Sequence, residues 1–392
     1  MNSAKIFPAI VVVGYNRTDS LLRLLESLNC AYYPNNDITL IISLDKSNKE
    51  KDVLSVANSF SWNHGAKIIR TFDEKQGLRK HILACGDLSF DYGAVIILED
   101  DLIVSPSFYI YTTEALNHYQ DINSICGIAL YSHSWNGYAE LPFNPYRDEN
   151  DVYFGQFSIT WGQCWSNKQW SLFKEWYLEN ENRDFSDCKM LPSNVSNWGQ
   201  QSWGKYFINY IVEKNLFYVI PYFSLTTNYS EEGEHNKVVD SSHQVSLLNG
   251  IKKDFVFVEF ENGVKYDSFF ERIFDSKTKI NGIPGNEICV NLNGTKEYTN
   301  GLKYILSTDK KGGKIIESYG AMLRPIEANV LCNVKGSAIF LKKVDSDVIK
   351  KNFKIHNKYI RSYYLYHFLW RFLRKEGNKR LLNTIKNKIT RG

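Results

Sequence analysis

The stretch Ala94-Val95-Ile96-Ile97-Leu98-Glu99-Asp100-Asp101-Leu102-Ile103-Val104 joins a continuous apolar run directly to three acids. Apolar side chains on both faces are typical of a strand that is buried inside a parallel sheet. Because ligands of such sheets bind outside the carboxyl ends of the strands, the acids are predicted to lie at a binding site. Glu99 and Asp101 should point to one face and Asp100 to the other, as long as strand geometry continues.

The stretch alone leaves two interpretations of the acids open. Carboxylates at the end of a strand can bind a hard divalent cation, which can in turn bridge phosphates and stabilise a leaving group. Acids are also favourable near the start of a helix, and Ser105-Pro106 is a good pair to begin one.

The first 120 residues alternate four times between a buried run and an amphipathic segment. The predicted strands cover residues 8–14, 38–44, 66–70 and 95–98, and each is followed by a predicted helix. This order predicts an α/β fold with a parallel, Rossmann-like sheet and helices on both faces. The domain has neither the Gly-x-Gly-x-x-Gly of dinucleotide enzymes nor a P-loop.

Charged residues recur at the predicted edge of this sheet. Arg17 follows the first strand, Asp45 follows the second, and Arg79 and Lys80 precede the fourth. Each alone is more typical of a solvated loop, but their shared location favours a nucleotide site.

These pieces, taken together, resemble the GT-A glycosyltransferases of the N-acetylglucosaminyltransferase I type and their bacterial surface-polysaccharide relatives. The matching segments are Val-Val-Gly-Tyr-Asn-Arg17, Ser-Leu-Asp45, Gln-Gly-Leu-Arg79-Lys80, and Leu-Glu-Asp-Asp101-Leu with the following Ser-Pro-Ser-Phe-Tyr. The resemblance covers about the first 235 residues, and the acidic segment with its flanks is its most specific part.

The resemblance implies roles for these residues in binding a nucleoside diphosphate sugar. Asp101 is expected to bind a divalent metal, Mn²⁺ or Mg²⁺, that assists the leaving group, while Asp100, with Glu99 beside it, contacts the donor ribose. Asp45 would accept from the uracil imide with Arg17 beside it. Arg79 or Lys80 would face the diphosphate.

The resemblance also places the acceptor in residues 121–240. Trp161 and Trp165 lie in a segment similar to the family's Ser-Trp-Gly-x-x-x-Trp, and Trp203 lies in the segment 197–203, which is predicted to open a later helix. Such rings can stack on a sugar, although tryptophans at helical spacing are more often core residues. His235 ends a loop that is similar to a family loop, where it would serve as a second metal ligand.

The chain departs from the family at Gln201-Ser202, where an acid of the family deprotonates the acceptor hydroxyl. A neutral glutamine cannot take that proton. Either another acid serves, with Asp187, Glu231 and Glu232 as candidates, or the reaction is not of the inverting kind.

The composition changes after about residue 240. Residues 241–348 are predicted to form an accessory β-rich module, with strands that include Val256–Phe260, and residues 349–392 a basic amphipathic helical tail. Residues 350–392 hold 13 of the 47 Lys and Arg but only one of the 43 acids, Glu376. The tail is therefore expected either to lie on an anionic membrane surface or to dock its aromatic face on the catalytic domain. No nucleic-acid-binding motif is found.

Seven scattered cysteines without a Cys-x-x-Cys argue against a disulfide framework or a zinc site. No apolar run reaches the ~20 residues that span a bilayer, and the N-terminus is interpreted as a strand and not as a secretion signal. We therefore expect a cytoplasmic protein that contacts the inner face of the plasma membrane peripherally.

The sequence predicts a metal-dependent hexosyl- or N-acetylhexosaminyltransferase with a donor half at 1–120 and an acceptor half at 121–240. Its donor would be UDP-linked and its acceptor a glycan, lipid-linked or free, in O-antigen or capsule synthesis. The alternatives are a sugar nucleotidyltransferase, whose basic loop after the first strand is poorly matched here, and a non-catalytic glycan-binding protein on a transferase scaffold.

Overall fold

The structure, a computed structural model, describes residues 5–349 and residue 363, except for residues 36, 187, 196 and 230–242. The chain divides into two compact units. The large unit comprises 1–138 and 143–273, and the small unit comprises 139–142 and 274–392. This division lies later than the boundary at residue 240 that the sequence predicts, because two short strands at 265–273 extend the large sheet.

Most strands of residues 1–273 belong to one large sheet. The strands of this part of the chain are β1 Ala9–Gly14, β2 Leu40–Leu44, β3 Lys67–Thr71, β4 Ala94–Glu99, β5 Leu102–Val104, β6 Ile125–Ala129, β7 Trp135–Asn136, β8 Leu141–Pro142, β9 Val152–Gly155, β10 Gln163–Ser166, β11 Phe217–Pro221, β12 Thr226–Asn228, β13 Lys265–Tyr266 and β14 Arg272–Ile273.

Seven helices accompany these strands in the described part of the large unit. They are α1 Thr18–Asn29, α2 Glu50–Ser59, α3 Leu78–Gly86, α4 Ser89–Tyr92, α5 Phe108–Tyr119, α6 Asn167–Asn180 and α7 Trp203–Glu213. The sequence analysis begins the last of these helices near residue 197, but residues before Ser202 form turns.

The ten-stranded sheet has the order β14-β13-β9-β11-β6-β10-β4-β1-β2-β3. Strands β1 to β4 run parallel, as the alternation predicts, whereas β10 lies antiparallel between β4 and β6. The apolar run is the centre of this sheet: Ala94, Ile96 and Leu98 face one core cluster, and Val95 and Ile97 face the other. The mixed α/β fold class is thereby confirmed.

The chain after the acids separates them from the next helix. Residues 100 and 101 form a turn, and β5 then pairs antiparallel with β12 before α5 begins at Phe108. The acids are therefore not in the first turn of α5, and the interpretation that they favour a helix start is wrong. Strand geometry ends at Glu99, so the condition under which the three acids were expected to alternate between faces is not met.

An aromatic cluster fills the side of the sheet on which α3, α6 and α7 pack. Trp165 of β10 contacts Trp170 of α6, with ring centroids 4.8 Å apart, and Trp203 of α7 at 5.7 Å. Gly86 lies against the indole of Trp170, where a Cβ atom would overlap three ring atoms. The Trp170 Nε1 also donates to Asp87 Oδ1 at 2.8 Å, which holds the indole in place.

The small unit is the β-rich module that the sequence predicts. Its strands are β15 Lys279–Ile280, β16 Ile283–Pro284, β17 Ile288–Asn291, β18 Tyr304–Ser307, β19 Lys314–Tyr319 and β20 Ile339–Lys343, with a 3₁₀ turn at Gly285–Glu287 and α8 at Ala328–Leu331. Four of these strands form a sheet of order β17-β18-β20-β19.

The C-terminal third differs from the sequence-based expectation in one strand, and its predicted helix is not described. The predicted strand Val256–Phe260 is wrong: these residues have no strand structure, and Phe257, Val258 and Phe260 pack on the core of the large unit. The predicted helical tail lies outside the described residues, apart from Ile349 and Tyr363. None of the helices described here is long and apolar enough to cross a bilayer.

Replacement of Gly86 tests this packing. We expect Gly86→Ala to lower the free energy of unfolding by about 2–3 kcal/mol, because the held Trp170 indole cannot yield to the added methyl group. Gly137→Ala is the matched control, since a Cβ at Gly137 would meet no atom within 4 Å. Urea unfolding of both variants measures the difference, and equal stabilities would contradict the proposed close contact.

Candidate functional site

The residues that follow β2 and β4 are both hydrogen-bonded to the last residues of β1. The backbone N–H of Asp100 donates to Val13 O, and the backbone N–H of Asp45 donates to Gly14 O, each at 3.0 Å. Two of the predicted site residues are thus held on either side of one strand. The convergence of acids at this edge, which the sequence predicts, is present in the fold.

Arg17 binds the acidic turn from the loop after β1. Its Nη2 forms an ion pair with Asp100 Oδ1, and its Nη1 lies 3.4 Å from Asp101 Oδ2. The backbone N–H of Tyr15 also points to Asp100 Oδ2, at 3.4 Å. Arg17 therefore contacts both aspartates of the turn, in addition to the place near Asp45 that the resemblance implies for it.

Burial and crowding of negative charge shift the protonation of the acids. Burial raises the pKa of Asp100 to about 6, although Arg17 opposes the rise. Burial and then the charges of Asp101 and Asp100 raise the pKa of Glu99 well above its usual range. Arg17 is affected in return, since the two aspartates outweigh the effect of burial and raise its pKa. The turn is therefore a site that favours an added positive charge.

One oxygen of this turn has no partner. Asp101 Oδ1 is buried and accepts no hydrogen bond in the described part of the protein. A buried carboxylate oxygen without a partner is costly unless a ligand satisfies it, and an oxygen of this kind suits a hard cation. Asp101 thus fits the metal-binding role that the resemblance implies.

The rest of a metal site is not assembled by the described residues. Among them, no group of three or more His, Cys, Asp and Glu side chains is arranged to hold an ion. The other expected ligand, His235, lies outside the described residues. The described chain does approach the acids just before that segment, because the backbone N–H of Tyr229 donates to Asp101 O at 3.0 Å.

Asp45 is buried and engaged by backbone groups. Its carboxylate accepts from the N–H of Lys46 at 2.8 Å, of Gln76 at 2.7 Å and of Gly77 at 2.9 Å. These bonds hold the loop that leads into α3. Three of its roughly four acceptor positions are therefore used to position the start of α3, and Oδ2 keeps one position for a further donor.

The two basic residues of α3 differ in their surroundings. The Nη1 of Arg79 donates to the hydroxyl of Tyr206 on α7 at 2.7 Å, and its guanidinium lies over that ring. Lys80 is exposed to solvent. Gln201, at the position of the missing family acid, is near the same loop, because its Oε1 would lie 3.9 Å from a Cβ at Gly77.

The next residue of α3, His81, is buried beneath this loop. Its Nε2 forms a hydrogen bond with Ser43 Oγ of β2 at 2.8 Å. Burial lowers the pKa of His81 to about 4, with Asp45 acting against the shift and Arg70 adding to it. The imidazole is therefore neutral at pH 7, and it ties α3 to β2.

Two of the three tryptophans predicted to bind the acceptor cannot do so. Trp165 and Trp203 are buried, and Trp165 Nε1 donates to the hydroxyl of Tyr218 at 3.1 Å. They belong to the aromatic core, which excludes a sugar from their faces. Trp161 is partly exposed, with its ring 4.8 Å from Tyr131 and 5.1 Å from His243.

Gln163 is a site candidate that the sequence alone does not indicate. It pairs with Ile97 on β4, so its side chain shares a face with Glu99 two residues further along. Both amide atoms of Gln163 are buried without a hydrogen-bond partner in the described structure. In the sequence, Gln163 is a polar residue within the largely apolar stretch 159–165. That pattern does not distinguish a site residue from a core glutamine with hydrogen-bond partners.

The candidates for the general base are not placed by the structure. Asp187, Glu231 and Glu232 all lie outside the described residues.

Comparisons with solved structures find partial likeness to glycosyltransferases. The S. aureus TarS 1–349 structure matches at 13% identity and a TM-score of 0.37, over 57% of this chain and 61% of that chain. TarS 1–349 in complex with UDP matches at 12% and 0.35, over 54% and 57%. A mannosyltransferase from Pyrobaculum calidifontis, solved with GDP-Man and Mn²⁺, matches at 10% and 0.28, over 43% and 46%.

The matched part is less than two thirds of each of those proteins. No family model and no curated protein matches the chain. Likeness at these scores does not decide the reaction, which has to be inferred from the residues of the site.

Replacement of Asp45 separates a positioning role from a contact with the nucleotide base. We expect Asp45→Asn to cost roughly 1–3 kcal/mol of stability, because the amide places a donor against backbone donors. Amide hydrogen exchange without any nucleotide should become faster in residues 75–86. Asp73→Asn, at an exposed position, is the control. Unchanged exchange in Asp45→Asn would contradict the positioning role.

The buried His81 predicts an acid-sensitive link between α3 and β2. Because its pKa is lower in the folded than in the unfolded chain, its contribution is complete above about pH 6.5 and is lost as pH falls towards 4. We expect the loss to amount to about 3 kcal/mol, and His81→Gln to remove it.

Urea unfolding of wild type and His81→Gln at pH 7 and pH 4.5 measures this effect. The variant should be less stable at pH 7 but should lose less stability on acidification. Parallel losses in the two proteins would show that His81 does not titrate in this way.

Proposed function

We propose that the protein is a metal-dependent glycosyltransferase that moves a sugar from a nucleoside diphosphate donor to a hydroxyl of a glycan. The observation that carries the proposal is the acidic turn after β4, where Asp101 Oδ1 is buried and unpartnered in the described structure, at the carboxyl end of the parallel part of the sheet. An anionic site that favours added positive charge suits a cation, and a cation there suits a diphosphate.

The sequence resemblance to the N-acetylglucosaminyltransferase I type supports the finer parts of this proposal. On that basis the donor is UDP-linked, the sugar is a hexose or an N-acetylhexosamine, and the acceptor belongs to O-antigen or capsule synthesis. An anionic membrane partner for the basic tail and a cytoplasmic site of action belong to the same proposal.

Arg17 is proposed to exchange partners when the donor binds. Without a ligand its guanidinium balances Asp100 and Asp101. A cation bound to Asp101 would compete for those oxygens, which frees the guanidinium for the negative charge of the diphosphate. Asp100 would then be able to accept from a ribose hydroxyl. In this way the metal and the diphosphate of the donor replace the ion pair between Arg17 and the two aspartates, and no charge of the site is left without a partner.

A divalent cation would be held by Asp101, with His235 proposed as a further ligand. When bound, such an ion stabilises negative charge on a departing diphosphate. The residues of the chain complete the site: Asp45 holds the loop into α3, and Arg79 and Lys80 are close to that loop. Lys80 is exposed and free to reach a phosphate, whereas Arg79 would have to leave Tyr206.

The acceptor is proposed to approach the side of the acids on which β10 begins. Trp161 lies two residues before Gln163, which pairs with Ile97 of β4, and its ring is partly exposed. Asp187, Glu231 and Glu232 are the candidates for the proton acceptor. The identity of that base also decides whether transfer inverts the configuration at the sugar.

Release of nucleoside diphosphate tests the reaction directly. Purified protein is incubated with nucleoside diphosphate sugars, with and without Mn²⁺, and the released diphosphate is measured. We expect Mn²⁺-dependent release that falls about 100-fold in Asp101→Asn, because the substitution removes the charge that holds the ion. Asp91→Asn, on the exposed part of α4, is the matched control.

Other outcomes would identify the alternative functions. Pyrophosphate release from a nucleoside triphosphate and a sugar phosphate would indicate a nucleotidyltransferase. Glycan binding that survives Asp101→Ala, without any donor cleavage, would indicate a binding protein. Either result would contradict the proposed transfer reaction.

A further inference from the structure

Gln163 is an enclosed glutamine whose side-chain amide makes no hydrogen bond within the part of the chain that the structure describes. The residue is 0% exposed, and both Nε2 and Oε1 are buried without a partner there. A buried amide atom in that condition is costly, because it has given up its hydrogen bonds to water and gained none in return. The glutamine is therefore unfavourable for the fold alone, and a ligand that completes its hydrogen bonds would remove the cost.

Two other buried glutamines of the large unit do have partners. Gln169 of α6 accepts at Oε1 from the N–H of Ser166 at 3.0 Å, and its Nε2 donates to Ile125 O at 3.4 Å. The Nε2 of Gln156 donates to Asn215 Oδ1 at 3.1 Å. The lack of a partner at Gln163 is thus not a general property of buried amides in this unit.

The register of the sheet places Gln163 beside the acidic edge. Gln163 begins β10 and pairs with Ile97 of β4 on one side and with Ala129 of β6 on the other. Because alternate residues of a strand share a face, its side chain points to the same face as Glu99, two residues after Ile97. Glu99 is partly exposed, and so is Trp161, two residues before Gln163. The amide is therefore enclosed, but it lies next to a partly open edge of the site.

The amide restricts the chemistry of a ligand, because it presents a donor and an acceptor side by side. A phosphate or carboxylate oxygen could bond only to Nε2, and a cation could bond only to Oε1. Neighbouring hydroxyls of a sugar can bond to both, since each hydroxyl donates as well as accepts. A glycan acceptor has to extend back into solvent, whereas the sugar of a nucleoside diphosphate donor is a single ring that a site can enclose.

We propose, on the basis of the transferase function proposed above, that Gln163 binds two neighbouring hydroxyls of the donor sugar and thereby selects that sugar. The diphosphate would be bound at the acidic turn, and the sugar would lie along the face that Glu99 shares with Gln163. A sugar that lacks one of these hydroxyls, or presents it in the other configuration, leaves one amide atom buried without a partner. Sites that are built around such hydrogen bonds reject the wrong substrate for this reason.

Direct binding measurements test the role of Gln163 without any transfer reaction. Calorimetric titration in Mn²⁺ compares UDP with UDP-glucose, UDP-galactose, UDP-N-acetylglucosamine and UDP-N-acetylgalactosamine. Gln163→Met keeps the length of the side chain but removes its hydrogen bonds. We expect this variant to bind the UDP-sugar that the wild type prefers about tenfold more weakly, and to bind UDP as the wild type does. Gln169→Met is the matched control and should leave both affinities unchanged.

Unfolding of the ligand-free protein gives a second measure that needs no nucleotide. Gln163→Met should raise the urea midpoint, because an apolar side chain of similar shape replaces an amide without partners. Gln169→Met should lower the midpoint, because it leaves the N–H of Ser166 and the carbonyl of Ile125 without that partner. A lower midpoint for Gln163→Met would show that the fold itself uses the amide, and would overturn the proposed role.

The binding results separate this role from the transferase function itself. If Gln163→Met binds the preferred UDP-sugar as tightly as the wild type, or loses UDP and UDP-sugar affinity equally, Gln163 does not select the sugar, and the transferase proposal still stands. If the wild type binds neither UDP nor any of the four UDP-sugars, the proposed donor is contradicted, and with it the ligand proposed for Gln163.

Discussion

Carboxylates packed together at the end of a buried strand are the constraint on which the functional edge of this protein depends. Glu99, Asp100 and Asp101 follow one another where β4 leaves the core, and removal from water raises the pKa of the first two. Such a group is stable only with compensating positive charge. Arg17 supplies part of that charge, and Asp101 Oδ1 is left without a partner in the described structure, next to the position proposed for a cation.

Much of the fold was predictable because it follows from patterns along the chain. The apolar run of β4, the alternation of strands and helices before residue 120, and the short strands of the C-terminal module depend on local periodicity and turn residues. The antiparallel insertion of β10 between β4 and β6 was not predictable. Strand order depends on which surfaces meet in space, and no local pattern records it.

The candidate site was predictable in its location but not in its contacts. The residues that follow parallel strands must share one edge, so Asp45, Asp100 and Arg17 were expected together. Their partners depend on tertiary geometry, which gives Arg17 to the aspartates and Asp45 to the α3 loop. For the same reason Trp165 and Trp203 could not be identified as core residues from their spacing alone. Aromatic residues are equally suited to bind a sugar or to fill a core.

The backbone N–H groups of Asp45 and Asp100 donate to neighbouring carbonyls of β1, so that strand sets the spacing between the two residues. Val13 and Gly14 are consecutive residues, so a rise of about 3.3 Å along the strand separates them, and covalent geometry fixes that rise. The distance between the two ends of the site is thus independent of the loops that surround it. The loops, and with them the choice of ligand, can therefore vary while the spacing between Asp45 and Asp100 stays the same.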